Sequence, residues 1–60
     1  MKKAARQNQI LEYITRQKKA EVVELSALLQ VSQVTIRKDL DELEEKDLIH
    51  RKHGFAVRNN

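Results

Sequence analysis

One run of nine residues, Ser32-Gln33-Val34-Thr35-Ile36-Arg37-Lys38-Asp39-Leu40, holds most of the chemistry in this chain. Ser32 suits a helix start, because its hydroxyl accepts a hydrogen bond from an orphan backbone N–H one turn on. Ile36, Leu40 and Leu43 recur at helical spacing and so share one face. At about 100° per residue, Val34 and Lys38 fall nearly opposite Ile36, with Thr35 and Arg37 on the flanks. The outward face then offers a methyl-bearing residue, a hydroxyl and two cations. Arginine is the commonest reader of guanine, valine and threonine methyls meet the thymine methyl, and serine and threonine hydroxyls bind phosphate. The six residues Ser32, Gln33, Val34, Thr35, Arg37 and Lys38 are therefore candidates for reading duplex DNA from the major groove. An ordinary solvated helix carries similar residues, so the surrounding chain has to decide between the two.

The elements that must position this helix are legible on both sides of it. Lys3 to Gln17 reads as a first helix, with Ile10, Leu11 and Ile14 on one side. Residues 18–20 form a connector, and Glu21-Val22 is a candidate for a very short strand. Val23 to Leu29 reads as a second helix with Leu25, Leu28 and Leu29 inward. Gln30-Val31-Ser32 is a three-residue turn, and the third helix runs from Gln33 to Lys46. Two helices joined by a turn of that length, the second presenting cations, form a helix-turn-helix pattern. Leu48 to Lys52 and Phe55 to Arg58 read as strands around His53-Gly54, which contains the only glycine. The expected fold is mainly α with a small β-hairpin: a winged helix-turn-helix of three helices plus a wing. Its core is expected from Ile10, Ile14, Leu25, Leu28, Leu29, Val31, Ile36, Leu40 and Leu43, with Ile49 and Val57 closing one side.

Composition excludes several alternatives. Sixty residues allow one small core, and with no cysteine that core must be packed Leu, Ile and Val. No apolar run is long enough to span a membrane. No apolar stretch follows the basic start at Lys2 and Lys3, so a cytoplasmic setting is expected. The net charge of +3 conceals a strong asymmetry. Residues 1–38 carry eight Lys/Arg against three Glu, residues 39–47 carry six Asp/Glu against one Lys, and residues 48–60 carry three Lys/Arg. A fold that brings the two basic segments to one surface attracts phosphate there and turns the acidic helix end away. In the wing, Arg51, Lys52 and His53 are the candidates for phosphate.

His50 and His53 have no cysteine beside them and no obviously placed carboxylate, so neither a metal nor a cofactor is expected. Glu42, Glu44, Glu45 and Asp47 read as a solvated helix end, because so short a chain has little room for a water-excluding catalytic pocket. No enzymatic activity is expected. Tyr13 and Phe55, the only aromatics, are too few to stack single-stranded nucleic acid.

The chain resembles the DeoR-type helix-turn-helix family of bacterial transcription regulators. The resemblance runs through Arg6, Ile10 and Ile14, then Ser32, then Thr35-Ile36-Arg37-Lys38-Asp39-Leu40, and on to the wing at Leu48-Ile49-His50-Arg51-Lys52-His53-Gly54. It implies a winged helix-turn-helix DNA-binding domain over residues 3–58, with the helix-turn-helix at about 20–39 and the wing at about 48–58. It also implies a repressor of a sugar-metabolism operon, working on double-stranded DNA in the bacterial nucleoid. The larger C-terminal part of such regulators senses a sugar phosphate and drives homo-oligomerisation, and no residue of it falls within this sequence. The chain departs from the family pattern at Gln30, Asp47 and Phe55, where glycine is frequent. The other reading is a winged-helix module for protein–protein contact, which should expose an apolar patch beside Thr35, Arg37 and Lys38; only Val34 is there.

Overall fold

The computed structural model describes residues 2–59. In chain order it contains α1 (Lys3–Gln17), β1 (Lys19–Glu21), α2 (Val22–Leu29), α3 (Gln33–Glu45), β2 (Ile49–Lys52) and β3 (Phe55–Arg58). The strands form one antiparallel sheet in the order β1-β3-β2. Three helices and this sheet make a winged helix-turn-helix.

The short strand lies at Lys19–Glu21, earlier than the expected Glu21-Val22, and Val22 opens α2 instead. The backbone N–H of Glu21 donates to Glu24 Oε1 at 2.9 Å, so Glu21 starts the helix. A carboxylate three residues into a helix satisfies the group that precedes it.

Each helix of the central pair ends without glycine in a conformation that glycine adopts most easily. Gln30 has φ 57° and Asp47 has φ 62°. After α2, the N–H of Val31 returns to Ser26 O at 3.2 Å, and the Ser26 hydroxyl donates to Val31 O at 2.6 Å. After α3, the Leu48 N–H bonds Leu43 O at 3.0 Å and the Asp47 N–H bonds Glu44 O at 2.9 Å. These bonds satisfy the orphan carbonyls of the last turn and hold the left-handed residue in place. The chain accepts an L side chain at each of these two positions at roughly 1–2 kcal/mol.

The core holds Ile10, Ile14, Leu25, Ile36, Leu40, Leu43 and Ile49, as the periodicity predicts, with Ala20 and Ala56 besides. Leu29 and Val31 pack against it half-buried. Leu28 does not join it: the side chain is 56% exposed. Val22, Leu25 and Leu29 define the inward arc of this two-turn helix, and Leu28 falls at its edge. In β3 the fully buried residue is Ala56, with Val57 half-buried. Ala20 and Ala56 are register partners at the centre of the sheet, and that pairing fixes which face of β3 turns inward. Their small side chains let the strands lie close against the helices.

Candidate nucleic-acid interface

Helix α3 starts as its sequence predicts. The Thr35 N–H donates to Ser32 Oγ at 3.1 Å, and the Ile36 N–H bonds Ser32 O at 3.1 Å. The Ser32 and Thr35 hydroxyls also meet at 3.0 Å, so the two form one polar corner at the exposed end of the helix. Ile36, Leu40 and Leu43 are buried, whereas Gln33, Val34, Arg37 and Lys38 are exposed. Val34 is 58% exposed on the outward face. Arg37 donates to Gln33 Oε1 at 3.3 Å, one turn back along the same flank.

That flank looks toward the wing. A cleft of about 250 Å³ lies between α3 and the hairpin, lined among others by Val23, Gln33, Arg37, Arg51, Lys52 and Gly54. The fold thus gathers Gln33, Arg37, Arg51 and Lys52, which are far apart in sequence, around one opening. His53 and Gly54 form the two-residue tip, where Gly54 has φ +77° and open space around it. At the tip neither Lys52 nor His53 makes a side-chain hydrogen bond among the described residues. Arg51 differs. Its guanidinium pairs with Asp41, and its backbone N–H donates to Glu44 Oε2 at 3.3 Å.

The acidic run after the reading segment is mostly engaged in holding other elements. Asp39, at the head of this run, is fully buried. Its carboxylate takes the Arg6 guanidinium through both oxygens and accepts from Gln7 Nε2 at 3.2 Å. Gln7 Nε2 also reaches Glu42 at 3.2 Å, and Glu42 pairs with Lys3 at 3.1 Å. Burial pushes the Asp39 carboxyl up, but the hydrogen bonds from Arg6 and Gln7 and the charge of Arg6 outweigh it and hold the group below the usual carboxylate range. Hydrogen bonds from Lys3 and Gln7 lower Glu42 as well. Sequence reasoning missed Gln7 as a buried residue and Asp39 as its partner. The signal was present: Gln7 sits at helical spacing from Ile10 and Ile14, and Asp39 from Ile36 and Leu43.

The charge order along α3 runs against its own dipole. Arg37 and Lys38 occupy the N-terminal half, and no basic residue stands in the last turn. The helix N-terminus carries partial positive charge and favours anions. Arg37 and Lys38 stand in the second turn, past the reach of that terminal charge, and give the N-terminal half of the helix a positive outward face.

The sequence matches the DeoR-like helix-turn-helix domain over residues 6–60. The chain belongs to that family. It is 48% identical over 50 residues to the L-fucose operon activator of Haemophilus influenzae, covering 83% of this chain and 20% of that protein. It is 45% identical over 57 residues to the glycerol-3-phosphate regulon repressor of Escherichia coli, covering 95% of this chain and 23% of that one. The transcriptional regulator GolR of Listeria innocua is 48% identical over 52 residues, covering 87% of this chain and 20% of the relative. The chain therefore spans about a fifth of the length of these relatives. No solved structure gives a significant match. Among the described residues no helix is long and apolar enough to cross a membrane.

Proposed function

We propose that this chain is the duplex-DNA-binding domain of a bacterial transcription regulator and inserts the N-terminal half of α3 into the major groove. The observation that supports this best is the pair of exposed cations Arg37 and Lys38 in the N-terminal half of α3, with Arg37 lining the same cleft as Arg51 and Lys52 of the wing. Arg37 reads a base edge, with Gln33 and Thr35 on either side and Val34 toward a thymine methyl. Ser32 and the first backbone N–H groups of α3 lie where a phosphate is favoured. Lys38 reaches bases or phosphates. Lys52 and His53 approach phosphates from the wing, and Arg51 belongs to the same strip but is held by Asp41.

The whole protein regulates a sugar-metabolism operon, as a repressor in the manner of the relative named for the glycerol-3-phosphate regulon rather than the one named an L-fucose operon activator. It assembles as a homo-oligomer and answers a sugar phosphate through chain beyond these residues, in the cytoplasm at the nucleoid. The protein is a regulator and not an enzyme, and it needs no cofactor to bind DNA.

Titration of a labelled random duplex at rising salt, followed by site selection with the chain fused to a dimeriser, tests this reading. Log affinity should fall with log salt by about 0.9 for each phosphate engaged, and selection should yield a common sequence. Binding that ignores salt, or a selection with no consensus, would contradict it.

A further inference from the structure

We infer that Arg51 is a positioning residue of the interface: it clamps the wing to α3 through Asp41 and Glu44, and its guanidinium does not take a phosphate. The inference rests on the DNA-binding reading and divides the wing's basic strip in two. β2 is an edge strand, paired with β3 on one side only. The Arg51 N–H faces the other side, where the Glu44 carboxylate accepts it at 3.3 Å. The guanidinium then reaches back one turn along α3 to Asp41. Two carboxylates of one helix thus hold the same residue, one by its backbone and one by its side chain. Asp41 and Glu44 lie on the flank of α3 that carries Arg37, so the clamp sets the width of the cleft between Arg37 and Lys52. Arg51 is half-buried, with its side chain 31% exposed, whereas Lys52 and His53 are exposed at the tip. Asp41 competes with a phosphate for the Arg51 guanidinium, whereas no side-chain partner competes for Lys52 or His53 among the described residues.

Asp41→Asn separates the two roles because they predict opposite signs. Removing an acid from a DNA-binding domain strengthens binding if charge alone matters, and frees Arg51 to reach the backbone. If the clamp positions the wing, the same change weakens specific binding although the domain has become more positive. Asp41 is largely exposed, so the variant should fold. The expected result has three parts. Affinity for the selected site drops by roughly threefold, the order set by one part-exposed ion pair. The salt slope on random duplex stays unchanged. Amide hydrogens of Ile49–Lys52 exchange faster without DNA. Arg51→Lys, which keeps a cation beside Asp41, should retain most of the affinity that Arg51→Ala loses. Tighter binding of Asp41→Asn with a salt slope steeper by about 0.9 would show Arg51 taking a phosphate and overturn the inference. Unchanged amide exchange in β2 would overturn it as well, with no DNA in the tube. If the parent chain binds no duplex at all, the DNA-binding reading fails by itself, while the exchange data still decide whether the clamp exists.

Discussion

Helix α3 is gripped from opposite flanks by two arginine–aspartate pairs of the same chemistry and very different surroundings. Arg6 of α1 holds Asp39, with side chains 14% and 2% exposed; Arg51 of the wing holds Asp41, with side chains 31% and 64% exposed. The first pair is completed by Gln7, which leaves no buried side-chain polar atom without a partner among the described residues. The second stands in water. Helix α3 thus has one flank fixed by a buried pair and the other held to the wing by a part-exposed pair. A buried carboxylate must keep its partners, because stranding a charge is costly. An exposed pair contributes little to stability and can rearrange at small cost.

Leu40 lies between the two aspartates and points into the core at 1% exposure, so it bears on both flanks. Leu40→Ala should lose about 2–5 kcal/mol through lost burial and the cavity left behind. For so small a domain that is enough to unfold a large share of molecules at room temperature, visible as lost helical circular dichroism. An unshifted melting curve would contradict the core assignment. On the α1 flank, Asp39→Ala should lose about 3 kcal/mol in denaturant unfolding, since it leaves Arg6 and Gln7 unanswered. A loss under about 1 kcal/mol would place this pair with the exposed one.

Acid sharpens the same contrast. The folded-state values of Asp39 and Glu42 are both lowered. Their contribution to stability is therefore present in full above the unfolded carboxylate range, near pH 4, and is lost as pH falls through the folded values. Stability measured from neutral pH downward should decline below about pH 4, and Asp39→Asn should flatten that decline. A variant that declines as steeply as the parent would mean other carboxylates control the acid limb. The smallest stability effect belongs to the wing: Asp41→Ala should change unfolding free energy by no more than about 1 kcal/mol. A larger loss would place this pair with the buried one on the α1 flank.

The helices were legible because their apolar residues repeat at helical spacing over several turns, and α1 runs from Lys3 to Gln17 as read. The helix-turn-helix turn was legible from Ser32. The sheet was less so. β1 has three residues, and Ala20 and Ala56, which fix its register, carry too little apolar surface to stand out. Leu28 misled because a two-turn helix has a narrow buried arc. In the interface, the outward residues of α3 emerged from spacing alone. The partners of the acidic run did not, because Arg6 and Asp39 are 33 positions apart and meet only through the fold. The two contacts of Arg51 with Asp41 and Glu44 were hidden for the same reason, since these carboxylates precede it by ten and seven positions and meet it only through the fold.

The central claim is that the N-terminal half of α3 reads sequence while the wing tip anchors. The most direct test compares Arg37→Ala with Lys52→Ala on a selected site and on random duplex. Arg37→Ala should lose about 1–3 kcal/mol on the selected site, relax preference at one base position and change random binding much less. Lys52→Ala should weaken both duplexes alike, because phosphate contacts carry little sequence information. An Arg37→Ala variant that keeps the parent's ratio of specific to random affinity would contradict the account.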